Sequence, residues 1–264
     1  MSYNHIDRMA SYIRMSLHNQ QPFYMAAHLL IPVITAVILF RYLQGVSSVA
    51  VIHSLPFTRT KLFHSNFLSG LLLIIGPILL NGIILLMIRK PTFYQWATET
   101  DRIDVFTTGE VLNWIWTSVL IVIVLYSIAV FSGIITGSSV VHLLASFFFV
   151  FLVSILYGVF NIYFQQYLYG FSLSGDWINL GLAISPYTGI LESGGYFQLP
   201  AVIFYLVTFL LMYVVSLVLY RKRKLERATD ALTFSFLKPI LCYIITFLGM
   251  TLLGFYFEKL GHSE

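Results

Sequence analysis

Apolar residues in this chain come in long runs rather than alternating with polar ones. Six runs approach or exceed the roughly 20 residues that a helix needs to cross the hydrocarbon core of a bilayer: 23–43, 66–88, 111–135, 141–165, 199–220 and 239–257. The third and fourth are the clearest. No Lys, Arg, Asp or Glu occurs from 111 to 175, and only Gly137-Ser138-Ser139 interrupts the apolar run. That interruption predicts a tight helical hairpin through the membrane. The lack of strict polar/apolar alternation argues against a transmembrane barrel. Pro32 and Pro77 fall inside the first two runs, where a soluble helix would suffer but a transmembrane helix tolerates them.

Composition agrees with the runs. Of 264 residues, 58% are hydrophobic, 17% aromatic and only 10% charged, and the mean hydropathy is +0.85. Soluble domains carry about 25% charged residues, and a soluble exterior needs more charge than this chain owns. Disorder is excluded because disordered chains are polar and charge-rich. The expected fold is an all-α membrane protein, a single domain over 1–264, with a bundle of about six transmembrane helices and short interfacial helices. The one cysteine, Cys242, excludes a disulfide framework and any multi-cysteine metal site.

The net charge of +4 reads as topology rather than as a nucleic-acid surface. With the 44–65 loop inside, Arg41, Arg59, Lys61, Arg221, Lys222, Arg223, Lys224, Arg227 and Lys238 are cytoplasmic. Arg8, Arg14, Arg89, Lys90, Arg102 and Lys259 are then outside. Density favours this choice, since five bases crowd into 221–227 directly after a span, whereas the bases of 89–110 are balanced by Glu99, Asp101, Asp104 and Glu110. The N-terminus is then outside, yet the first 22 residues have neither the compact apolar core nor the cleavage site of a signal peptide. The longest loop, 166–198, has no Lys or Arg, and its apolar patches at 177–184 and 187–191 suit short helices at the outer interface.

Catalytic constellations are scarce. The chain contains no Walker-type phosphate loop, no His-Glu-x-x-His and no Gly-x-Ser-x-Gly. Its acids lie mostly in loops, which speaks against a buried carboxylate pair. His28 and His142 are the histidines well inside spans, read as satisfied by a neighbouring helix rather than as a proton relay. Gly133-x-x-x-Gly137 offers either a close helix approach or a turn, and its place near a helix end favours the turn. Asn81 and Asn161 read as interhelical glue ahead of substrate contact. The aromatic clusters at 147–149 and 163–164 suit lipid contact and packing ahead of a lipid-like substrate.

Two cytoplasmic segments carry more information. In 44–65, Pro56 disfavours helix at Leu55, and Thr58 or Ser54 is placed to cap a short basic helix running toward Asn66, flat on the membrane face. Val49, Val51, Ile52, Leu55, Phe57, Leu62 and Phe63 lie outside the expected spans, so a partner protein or the interface should cover them. In 220–228, Arg221, Lys222, Arg223, Lys224 and Arg227 suit an anchor on anionic lipid. The following 230–239 is again amphipathic and is a second candidate contact for a cytosolic partner.

His53-Ser54-Leu55-Pro56-Phe57-Thr58-Arg59, followed by Asn66-Phe67-Leu68-Ser69-Gly70, resembles the ABC-2-type permeases of bacterial ABC transporters, in particular larger Gram-positive members. The stretch Tyr220-Arg221-Lys222-Arg223-Lys224-Leu225-Glu226, with Phe234 and Lys238-Pro239, is similar too, and the resemblance spans about 30 to 257. It implies a bacterial plasma-membrane subunit, multi-pass, that is not itself an enzyme. ATP would be bound and hydrolysed by a separate ABC ATPase, with no cofactor on this chain, and a second permease subunit would complete a homo- or heterodimer. It also implies that Leu55, Pro56, Phe57, Thr58, Arg59, Lys61 and Phe63 dock the ATPase. In the family this loop usually follows the second transmembrane helix, and here it follows the first. The resemblance therefore implies a longer permease, with a helix upstream of residue 1 and further spans after Glu264.

The spans offer almost no charge for ions, so the expected cargo is amphipathic or hydrophobic, such as a drug or antimicrobial peptide, moved outward. A membrane-embedded sensor or regulatory subunit signalling through 221–238 is the alternative. A lipid-modifying membrane enzyme ranks third, for want of a catalytic set.

Overall fold

The computed structural model describes residues 21–45, 48, 56–88, 107–169, 185, 187, 189, 197–223 and 230–261. Six long helices make up the described chain: α1 (Pro22–Phe40, prolonged by a 3-10 turn Arg41–Gln44), α2 (Arg59–Ile88), α3 (Thr108–Ile135), α4 (Ser139–Tyr167), α5 (Leu199–Lys222) and α6 (Leu237–Gly261). Each is long and apolar enough to cross a membrane, and each contains one of the six expected runs. The protein is an all-α, multi-pass membrane bundle. α1 and α2 run through Pro32 and Pro77 without interruption.

α3 is the axis. It is buried along most of its length, and α1, α2, α4 and α5 all pack on it, while α6 touches mainly α4 and is open along almost its whole surface. The sequence of α3 explains its place. Within lipid no hydrophobic force drives helix against helix, so close approach over small residues decides the packing. α3 supplies Thr117, Ser127, Ala129, Ser132 and Gly133, all buried. The hydroxyls bond within the helix: Thr117 Oγ1 to Asn113 O (2.8 Å), Ser127 Oγ to Val124 O (2.7 Å) and Ser132 Oγ to Ile128 O (2.9 Å). They therefore enter the core without demanding a partner from another helix. Thr107 and Glu110 close the N-terminal end of α3 as a reciprocal capping box, Glu110 N donating to Thr107 Oγ1 (3.2 Å) and Thr107 N to Glu110 Oε2 (2.8 Å).

The hairpin at Gly137-Ser138-Ser139 is as tight as expected, α3 ending at Ile135 and α4 starting at Ser139. Gly133 departs from the turn reading. It lies inside α3, and the imidazole of His142 fills the place where a Cβ would project. Only Gly137 belongs to the turn. His142 itself is fully buried and satisfied, its Nε2 lying 2.8 Å from Ala129 O and its Nδ1 3.1 Å from Gln44 Nε2. A carbonyl only accepts and an amide NH2 only donates, so the ring is held with its proton on Nε2. Ser139 Oγ fixes that amide by donating to Gln44 Oε1 at 2.5 Å. His28 is also buried, with its ring beside Tyr24, but unlike His142 it is not satisfied as expected, its Nδ1 having no hydrogen-bond partner among the described residues. Asn81 is exposed and Asn161 half-buried, and among the described residues neither bridges to another helix.

Two expectations about the basic end change. No separate interfacial helix follows Pro56, because α2 starts at Arg59 and continues unbroken across the membrane. Thr58 is its cap, with Lys61 N donating to Thr58 Oγ1 at 3.3 Å and Leu62 N to Thr58 O at 3.1 Å. After the cap, Leu62, Phe63 and Phe67 face the bundle, which joins the basic turns to the span as one helix. The expected outer helices at 177–184, and 187–191 as a helix, lie outside the described residues.

Gly133→Ala is expected to cost about 1–3 kcal/mol of stability, because the added methyl must displace a hydrogen-bonded imidazole in a packed core. Gly249 on α6 has open space around it, so Gly249→Ala should stay within about 0.5 kcal/mol. Unfolding in mixed micelles checks the pair. Equal costs would contradict the packing role of Gly133.

Candidate functional site: the basic end of the bundle

The C-terminal ends of α1, α3 and α5 and the N-terminal ends of α2, α4 and α6 meet at one end of the bundle, joined by direct hydrogen bonds. This end carries Arg41, Arg59, Lys61, Arg221, Lys222, Arg223 and Lys238. A helix C-terminus leaves unpaired carbonyls and the negative end of the helix dipole, which favour a cation. Two arginines supply it. Arg59 Nη1 donates to Arg221 O (3.2 Å) and Arg223 O (3.1 Å) at the end of α5. Arg223 turns inward and is only 3% exposed. Its Nη1 donates to Gly133 O (3.1 Å) and Ile134 O (2.6 Å) at the end of α3, and its Nη2 to Leu43 O (2.8 Å) after α1. Burial draws its guanidinium down to about 10, the nearby Tyr42 and Tyr220 hydroxyls working the other way, so it remains a cation at neutral pH.

An aromatic cluster packs behind the arginines. Phe63 is fully buried, with ring centroids 5.5 Å from Tyr220, 5.7 Å from Phe67, 5.8 Å from Tyr213 and 6.2 Å from Phe40. Its polar edges pair: the Tyr42 and Tyr220 hydroxyls lie 2.8 Å apart, Asn66 Nδ2 donates to Tyr42 Oη (3.2 Å), and Tyr213 Oη lies 2.8 Å from His64 Nδ1. After α5 the chain returns to this end. Thr233 N donates to Ile135 O (2.8 Å) and Leu232 pairs with Thr136, so the start of 230–239 lies against the α3–α4 turn in extended form.

The residues expected to dock a partner are thus divided. Pro56, Phe57, Thr58 and Lys61 are exposed, Phe57 by 62%. Phe63 is not available to a partner, because its place on α2 turns it into the bundle. Arg59 is half-buried, with its Nη1 held by α5. Leu55 lies outside the described residues. Of the expected lipid anchor, Arg221 and Lys222 are exposed, whereas Arg223 is a buried clamp on helix ends. Lys224 and Arg227 lie outside the described residues. Charge density alone does not distinguish Arg223 from its neighbours; its helix position, one turn beyond the buried Ser216–Tyr220 face, is the signal that would have.

No protein-family pattern, curated protein or solved structure matches the chain. The fold and its polar end define a class: a helical membrane bundle with one basic, arginine-clamped end.

Arg223→Met is expected to lose about 1.5–3 kcal/mol, the scale of hydrogen bonds to a charged group. Arg221→Met, at an exposed site, should change stability by no more than about 0.5 kcal/mol. Thermal unfolding in a single detergent checks both, and a neutral Arg223→Met would contradict the clamp.

Proposed function

We propose that the chain is the membrane-spanning subunit of an ATP-driven exporter of the ABC-2 type in a bacterial plasma membrane, acting with a separate ABC ATPase and a second permease subunit. The observation that carries this reading is the exposed edge formed by Pro56, Phe57, Thr58 and Lys61 at the clamped end. An exposed Phe beside a Lys at the start of a transmembrane helix offers an apolar anchor and a charged rim, the usual composition of a protein-docking surface. The sequence resemblance around Leu55–Arg59 and Tyr220–Glu226 supports the same reading. By the Lys/Arg bias this end faces the cytoplasm, where ATP is hydrolysed.

In this reading the ATPase grips the edge before α2, and nucleotide-driven closure displaces the start of that helix. The helices then exchange between two arrangements. The cargo is amphipathic or hydrophobic, matched to spans that are almost free of charge.

Purification of the tagged chain from its native membrane in mild detergent, with mass spectrometry of what is retained, tests this. A Walker-motif ATPase should be recovered. Phe57→Ala with Lys61→Glu should weaken its retention about tenfold or more, the effect of losing an interface anchor. Recovery of a kinase or other signalling protein in place of an ATPase would favour the sensor alternative and overturn the proposal.

A further inference from the structure

We propose that Arg59 and Arg223 form a two-step mechanical link that passes displacement of the start of α2 first to α5 and then to α1 and α3. Its role in coupling rests on the permease reading above; the link itself does not.

The geometry is a chain of contacts with no gap. Thr58 caps α2 and Arg59 is the first residue of that helix, directly after the exposed Pro56–Phe57 edge. Arg59 holds the carbonyls of Arg221 and Arg223, so it grips the backbone that carries the second arginine. The Arg223 side chain then holds Gly133, Ile134 and Leu43. Two side chains thereby join the ends of four helices. Thr233, bonded to Ile135 O, extends the join to the chain entering α6.

The chemistry suits movement better than a salt bridge would. The hydrogen bonds of both guanidinium groups go to backbone carbonyls, and these are neutral. Breaking a buried ion pair leaves an uncompensated charge. A guanidinium with five donors can instead exchange one helix-end carbonyl for the next while remaining solvated by dipoles. Arg223 Nη1 already spans two successive carbonyls of α3. Arg59 is therefore a positioning residue, acting on α1 and α3 through Arg223, since its own hydrogen bonds among the described residues go to α5.

The test is hydrogen exchange on the full chain in lipid nanodiscs, comparing the parent with Arg59→Met and Lys61→Met. If the link exists, Arg59→Met accelerates exchange at 43–45, at 134–138 and at the Thr233 amide by about 2- to 30-fold, the range of coupling through a packed network. Lys61→Met, which removes an equal charge two residues away, should leave those amides unchanged. Acceleration confined to 59–63 and 221–223 would overturn the link, as would an equal effect from Lys61→Met. With the ATPase present, Arg59→Met should retain capture while lowering transport-linked ATP turnover, whereas the Phe57→Ala and Lys61→Glu pair loses capture. Absence of any ATPase would defeat the functional reading and leave the exchange result to judge the link.

Discussion

The architecture depends on how one buried cation is accommodated. Arg223 is placed among helix ends, and a guanidinium there needs hydrogen-bond acceptors or its burial costs several kcal/mol. The carbonyls of Leu43, Gly133 and Ile134 meet that demand only if α1, α3 and α5 end at the same level. The constraint runs both ways, since those carbonyls are the ones that a helix C-terminus leaves unpaired. Arg59 then does for α5 what Arg223 does for α1 and α3. The register of the bundle at its basic end is therefore set by polar chemistry. Apolar packing, which is almost non-directional, sets the rest.

Away from that end α3 organises the molecule. Its small residues admit four neighbours, and the hydroxyls of Thr117, Ser127 and Ser132 are satisfied within the helix. The outer faces of α2, α5 and α6 remain apolar and open, as a lipid environment allows. Cohesion is thus uneven: dense and hydrogen-bonded around Phe63, Tyr126, Tyr213 and Tyr220, loose at α6. A bundle tied at one end and loose elsewhere is suited to helix rearrangements that start at the tied end, which is where the exposed Phe57 and Lys61 sit.

Much of this was legible in the sequence. Run length and charge gave six helices, and Gly137-Ser138-Ser139 gave the hairpin, because in lipid the backbone must satisfy itself and only helices do so from a single segment. His142 as a satisfied core histidine was likewise legible. The errors share a cause. Phe63 and Arg223 are buried instead of facing outward, because a run of bases or a loop position says nothing about rotation around a helix axis. Once α2 starts at Arg59 instead of near Asn66, Phe63 and Phe67 fall on one face and that face is inward. The place of Gly133 near a helix end points to a turn, and only the position of His142 shows the close approach instead. The capping box of Thr107 and Glu110 was visible in the spacing and was missed in favour of the apolar run that follows.

In the proposed link the two arginines act as one device through the last turn of α5. The most direct test is a double-mutant cycle of Arg59→Met and Arg223→Met, read by equilibrium unfolding in mixed micelles. An interaction of about 0.5–3 kcal/mol between the two changes is expected, the range found for residues in one hydrogen-bonded network. Additivity within about 0.3–0.5 kcal/mol, the behaviour of independent sites, would contradict it.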